Sequence, residues 1–272
     1  MMERGLQVIG GSETNIDIIE LSDRRAKFIL SGISPAFANA LRRSAIAEVP
    51  ILAIDDVNIY ENTSVLFDEM LALRLGLIPL KTDLDSYVLR SECSCKEGCP
   101  LCQVSLTLSA EGPKVVYSGE LKSSDPKVAP ADENIPIIEL MEGQKVVLEA
   151  IAQLGKGEEH AKWQPATCSY KNMPTISISK CNGCGACVEA CPKGILKLND
   201  ALTMTNELDC SLCHLCEDVC ELGAIHVGSD PASFVFNLES HGSLPAEEVI
   251  LRAADNIKGK IKRLTKCLSK LS

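Results

Sequence analysis

The chain is poor in aromatic residues: its 272 positions include one Trp, four Tyr and five Phe, 4% in all. A core built from it must be largely aliphatic, and little π-surface is left for stacking nucleobases. No stretch approaches the ~18 consecutive apolar residues that a membrane-spanning helix needs. The opening residues MMERGLQVIGGSETNID hold no cationic segment followed by an apolar run and a cleavage site. The expectation is a cytoplasmic protein with no membrane contact. Walker loop and nucleophile elbow are both missing, and Gly183-Cys184-Gly185 continues as Ala186-Cys187-Val188, so the dinucleotide fingerprint fails as well. The histidines His160, His214, His226 and His241 form no motif with neighbouring acids. Positive charge is also short, with 27 Lys and Arg against 37 Asp and Glu, a net charge of −10. A balance of this sign argues against a direct grip on a phosphate backbone.

What the chain has in excess is cysteine, 14 residues. In a reducing compartment, clustered cysteines point to metal before disulfides. Cys181, Cys184, Cys187 and Cys191 are spaced C-x2-C-x2-C-x3-C before Pro192, and Cys210, Cys213, Cys216 and Cys220 repeat the spacing. The pattern matches two-cluster bacterial-type ferredoxins, in which each triplet of cysteines holds one 4Fe–4S cube and the fourth crosses to the other. On that rule the first cluster is held by Cys181, Cys184, Cys187 and Cys220, and the second by Cys191, Cys210, Cys213 and Cys216. A tight loop wraps each cube and turns backbone N–H groups toward sulfur, which Gly183 and Gly185 favour. The competing reading, eight structural or zinc-binding thiols, fits less well, because zinc modules pair two C-x-x-C units. His214 lies inside the second triplet and is read as a bystander. Glu221 stands where the first motif has Pro192, and should leave the first cluster more solvated and more labile.

A third group, Cys93, Cys95, Cys99 and Cys102, falls within the run CSCKEGCPLC. Four thiols in one loop bent by Gly98 and Pro100 can close a tetrahedral zinc site without help from elsewhere. Redox-sensitive disulfides and free thiols are the alternatives. Cys168 and Cys267 read as ordinary small apolar residues.

Periodicity predicts an α+β chain. Ile16 and Ile18, then Ala26, Phe28 and Leu30, alternate as strands, and Ser34-Pro35 opens a helix running through PAFANALRRSAIAEV to Pro50. Phe37, Leu41, Ser44 and Ala45 share one face of it. Residues 51 to about 168 read as β-rich, with a short helix over Met70–Leu77. Residues 175 to 227 form a ferredoxin-like unit of two βαβ-like halves, with three lysines against seven acids. After a strand through Phe234, Phe236 and Leu238, Pro245 starts a long helix. Its apolar residues Ile250, Ala254, Ile257, Ile261, Leu264, Leu268 and Leu271 follow a heptad stripe. Two occupants fit that stripe, the chain's own sheet or a helix of another subunit. The basic residues Arg252, Lys258, Lys260, Lys262, Arg263, Lys266 and Lys270 read as a solvated face rather than a nucleic-acid grip. From these patterns alone, two functions remain: a ferredoxin-type electron carrier, or an assembly subunit with clusters as structure.

The run SPAFANALRRSAIAEVPILAIDDVNIYENTSVLFDEMLALRLGLIPL, residues 34–80, resembles the α-like assembly subunits of archaeal and eukaryotic RNA polymerases. HAKWQP at 160–165, FNLESHGSLPAEEVI at 236–250 and CSCKEGCPLC are similar to that family too. The resemblance implies a dimerisation domain made of residues 1–50 plus 229–272, a β-rich inserted domain over 51–174 and a ferredoxin-like iron–sulfur domain over 175–228. It implies a heterodimer with a smaller α-like subunit, called L in archaea, that serves as a platform for the large subunits. Polymerisation chemistry would belong to those large subunits, and this chain would supply no catalytic residue and no DNA-binding tail. Phe37, Leu41, Ile250, Ile257, Ile261, Leu264 and Leu268 would form the subunit interface. Arg42 and Arg43 would contact the large subunits or the partner, the local alternative being salt bridges within the chain.

Overall fold

The computed structural model describes residues 14–270. Residues 1–13 of the expected dimerisation domain and Leu271 of the stripe lie outside them. In chain order the elements begin with β1 (Asn15–Leu21), β2 (Arg25–Ser31), α1 (Pro35–Ala47), β3 (Ile51–Asn62) and α2 (Asp68–Gly76). After a 3-10 turn at Arg90–Glu92 come β4 (Gln103–Glu111), β5 (Lys114–Tyr117), β6 (Lys122–Ser123), β7 (Pro136–Leu140) and β8 (Lys145–Gly155). The remainder is β9 (Ala166–Ile178), α3 (Ala186–Ala190), β10 (Leu196–Leu198), β11 (Leu202–Met204), α4 (Leu215–Asp218), β12 (Ile225–Ser240) and α5 (Ala246–Leu268).

Local chemistry explains the boundaries. The Ser34 hydroxyl accepts a hydrogen bond from the Phe37 N–H at 3.3 Å, capping α1, and Pro35 takes the first helical position. The helix ends at Ala47, two residues before the expected Val49, because the residue preceding Pro50 is pushed toward extended backbone. The expected helix over Met70–Leu77 is α2, which starts two residues earlier at Asp68 and Glu69, acids suited to a helix N-terminus.

Contacts divide the chain into two compact units. One comprises, among the described residues, 20–26, 39–169 and 238–270. Its main sheet has the order β3-β8-β4-β6, and β5 pairs with β7 beside it. β8 alternates buried and half-buried residues along its whole length, as a strand with one packed face should. Leu71 and Leu75 of α2 are fully buried against Leu52, Ile54, Leu106 and Leu148. Each such side chain contributes about 1.5–3 kcal/mol of burial. The pairing of β3 with β8 slips between Ile54 and Asp56. There Lys162, from the HAKWQP run, donates to the Ile54 carbonyl at 3.1 Å, pairs with Asp55, and lies 4.4 Å over the Trp163 ring. That run therefore braces a bulge.

The other unit comprises, among the described residues, 14–19, 27–38 and 170–237. It carries most of a second sheet, ordered β1-β2-β12-β9. Phe28 and Phe236 stack there at 5.1 Å, and Tyr170 meets Phe234 at 5.5 Å and Phe236 at 5.4 Å. The expectation of an aliphatic core holds for the first unit and needs correcting here, where four of the few aromatic residues gather on one sheet. The expected βαβ-like halves appear as β9-α3-β10 and β11-α4-β12, joined by antiparallel pairing of β10 with β11. Their small core consists of Cys187, Ile195, Leu196, Cys210, Cys216, Ile225 and Val227.

Candidate metal centres and interface

The two cysteine loops follow the same path. Gly183 and Gly185 have φ of 75° and 81°, and the residues at the same places in the second loop, Leu212 and His214, have φ of 56° and 61°. The Gly183 N–H donates to Cys181 Sγ at 3.4 Å, and the Leu212 N–H to Cys210 Sγ at 3.4 Å. Gly194 and Gly223, both left-handed, return N–H bonds to the Cys191 carbonyl at 3.1 Å and the Cys220 carbonyl at 2.9 Å. A Cβ on Gly183 or Gly185 would meet nothing closer than Leu198, at 4.0 and 3.8 Å, so backbone angle rather than space calls for glycine.

Each loop borders a cavity. One is lined by Cys191, Cys210, Cys213 and Cys216 with Ile176, Ile195, Leu196 and Val227. The other is lined by Cys181, Cys184, Cys187 and Cys220 with Leu198, Leu202 and Ile225. Four sulfurs, an apolar lining and N–H groups aimed at sulfur are what a cubane cluster requires. Burial pushes the Cys187 and Cys216 thiols up, whereas backbone N–H groups, chiefly those of Leu215 and Ala224, hold Cys213 and Cys220 down.

The histidines carry a correction. His214 and His226 both contact Glu217, at 2.9 and 2.6 Å, although no motif joins them in the sequence. These bonds, His214 first, hold the Glu217 carboxyl at about 2. The pairing depends on β12 returning past α4, which local spacing cannot reveal. His214 also lines the cavity of the second loop, beside Cys210, Cys213 and Cys216.

In the third group, Cys93, Cys95, Cys99 and Cys102 place their sulfurs within 4.8 Å of one another. Among the described residues this is the only such cluster of potential ligands. Cys93 donates to Cys95 at 3.3 Å, which holds the Cys95 thiol down to about 6. Sequence reading missed Arg90, whose guanidinium reaches Cys95 Sγ at 3.0 Å, Cys102 Sγ at 3.4 Å and the Lys96 carbonyl at 2.7 Å. The signal was a lone arginine three residues before the run. Cys168 is buried, with its thiol pushed up by burial to about 11, and Cys267 is exposed on α5.

On α5 the inward residues are Ala246, Val249 and Ala253, not the heptad stripe. Ser44 of α1 donates to the Ala253 carbonyl at 3.0 Å, Asn256 donates to the Glu48 carbonyl at 3.1 Å, and Lys260 pairs with Glu48. Ile250 and Ile257 are half-buried, and Ile261, Leu264 and Leu268 are 58, 60 and 57% exposed. Leu41 is buried and Phe37 exposed. Arg42 is half-buried and bonds the Asn39 side-chain oxygen through two nitrogens, at 3.2 and 3.0 Å, while Arg43 is exposed. A second outward apolar face, Phe67, Met70, Leu73 and Leu77 around α2, escaped the sequence reading because Leu71 and Leu75 dominate that helix's pattern. No helix among the described residues is long and apolar enough to cross a membrane.

Residues 57–175 match the family described as the RNA polymerase Rpb3/RpoA insert domain, and residues 174–197 match a 4Fe-4S binding domain. DNA-directed RNA polymerase subunit Rpo3 of Methanosarcina acetivorans is 55% identical over 262 residues, covering 94% of this chain and 98% of that protein. The subunit of the same name from Archaeoglobus fulgidus is 47% identical over 260 residues, with the same coverage of each chain. That from Natronomonas pharaonis is 40% identical over 259 residues, again covering 94% and 98%. End-to-end likeness at this level, with an iron–sulfur match inside it, places the chain in the Rpo3 family of DNA-directed RNA polymerase subunits.

Proposed function

We propose that the chain acts as a non-catalytic assembly subunit of a DNA-directed RNA polymerase. In this reading residues 1–50 plus 229–272 form the dimerisation domain, 51–174 the inserted domain and 175–228 the iron–sulfur domain. The chain pairs with the small α-like subunit, L, and the pair is the platform for the large subunits, which supply the chemistry and hold DNA. The observation that carries this reading is the outward stripe of α5. The helix packs on its own chain through small residues, Ala246, Val249 and Ala253, and turns the large ones, Ile261, Leu264 and Leu268, away. A 23-residue helix is about 34 Å long, enough for several turns of helix pairing. Phe37 and Leu41 would join this interface, with Arg42 and Arg43 serving the large subunits or the partner.

The test is co-purification with the small subunit. The double change Ile261→Asp and Leu264→Asp is expected to abolish the heterodimer while leaving the chain folded, since both side chains are more than half exposed within it. An intact heterodimer would overturn the reading. Charge reversal at Arg42 and Arg43 should weaken assembly of the larger enzyme.

For cofactors, the reading is two 4Fe–4S clusters, the first on Cys181, Cys184, Cys187 and Cys220 and the second on Cys191, Cys210, Cys213 and Cys216. One Zn²⁺ belongs on Cys93, Cys95, Cys99 and Cys102, where Arg90 offsets part of the thiolate charge. The cubes supply cross-links within a small core and a capacity for one-electron change. The residues around them exclude water and direct N–H groups to sulfur. Metal analysis after anaerobic preparation checks both assignments, and Cys95→Ser should lower zinc without lowering iron.

A further inference from the structure

The two cavities share a backbone but not a charge environment. Lys171 on β9 is half-buried, and its ammonium donates to the carbonyls of Leu208 at 2.6 Å and Cys210 at 2.5 Å. Between those two residues, Asp209 pairs with Lys27 of β2 at 3.4 Å. A third cation, Lys193, lines the same cavity. Three consecutive residues entering the second loop are thus tied to cations from two strands of the sheet beside it.

The first loop has no such arrangement. Its entry is held by one backbone bond, from the Ser179 N–H to the Ala224 carbonyl at 2.7 Å. Lys180 is exposed and makes no ion pair among the described residues, and no lysine or arginine lines that cavity, while a carboxylate follows a ligand at both sites, Glu221 after Cys220 and Glu217 after Cys216.

We propose that Lys171, braced by Lys27, is a positioning residue for the second cluster site, making that cluster harder to lose and easier to reduce than the one in the first cavity. This rests on the reading that each cavity holds a 4Fe–4S cube. Two effects act together. Tying the Leu208 and Cys210 carbonyls to an ammonium fixes the backbone of the first ligand in the loop. A fixed cation also stabilises the added negative charge when the cube takes up one electron, more so at a half-buried place than in water.

The experiment uses the full chain, prepared anaerobically, in two backgrounds: Cys184→Ser, which leaves only the second site complete, and Cys213→Ser, which leaves only the first. Into each is placed Lys171→Met, Lys171→Arg or Lys27→Met. Dithionite supplies the electron in a potentiometric titration followed by EPR, and a chromophoric chelator reports iron release. In the Cys184→Ser background, Lys171→Met should lower the midpoint potential and speed iron release about 10-fold, the lower end of effects from groups that orient metal ligands. Lys171→Arg should restore most of both, and Lys27→Met should move both in the same direction by less. In the Cys213→Ser background none of the three should change either reading. Lys171→Met without effect in the first background, or with equal effects in both, would overturn the proposal. Iron and sulfide analysis of the unmodified chain separates the two levels: content for fewer than two cubes removes the reading beneath it, whereas full content with no lysine effect removes the proposal alone.

Discussion

The two cysteine loops reach one backbone from different side chains. Where the first uses Gly183 and Gly185, the second holds Leu212 and His214 in the left-handed region, at roughly 1–2 kcal/mol for each residue that carries a Cβ. Such conformations persist only where the surroundings over-determine them. The geometry that brings four sulfurs to one cavity therefore outweighs local preference at two positions inside the second loop, and in the first only at its entry, where Lys180 has φ of 51°. The surroundings differ in the same sense: the more strained loop is tied by Lys171 and Lys27, and the less strained one stands more open, with Cys181 and Cys184 both exposed.

The largest expected effect breaks the comparison outright. Cys191→Ala lies in the first cysteine run, yet should empty the second cavity, and Cys220→Ala should empty the first. Each should remove about half the iron. Loss from the cavity nearer in sequence would mean that the fourth ligands do not cross. Next comes oxygen: exposure to air should destroy the first cluster several-fold faster than the second, followed by EPR, and equal rates would count against the role given to exposure and Glu221. Smaller still are the backbone changes. Gly185→Leu should cost about 1–2 kcal/mol in the holo-protein, while Leu212→Gly should gain up to about 1 kcal/mol, both read from thermal unfolding. A neutral Gly185→Leu would show that the left-handed angle is not the constraint. The smallest change is Glu217→Ala. It removes the acceptor of the Val227 N–H, at 3.3 Å, and should speed exchange of that amide without touching the first loop, where Val188 holds the matching place.

Much of this was legible in the sequence because the signals are local. Cysteine spacing marks both loops, and the Ser34-Pro35 pair marks the start of α1. A 3- and 4-residue apolar rhythm marks α5, although it singles out the large outward residues and passes over Ala246, Val249 and Ala253, which are small enough to let the helix approach α1. The contacts that distinguish the two cavities were not legible. Lys27 and Asp209 lie 182 positions apart, and each alone reads as an ordinary surface charge. Arg90 is hidden likewise, since an arginine before a cysteine run has no spacing rule that ties it to sulfur.

Sequence by itself determined the cysteine spacing, the helix stripes and the membership of the Rpo3 family, because residue type and short-range periodicity fix them before any long-range contact forms. Only the tertiary structure decided which cations stand beside which cysteines, which face of α5 turns inward, and that Leu212 and His214 must accept a glycine's conformation. Those depend on strands distant in the chain closing on one another, and the energy that selects among such closures is spread over a whole core rather than written in any one segment.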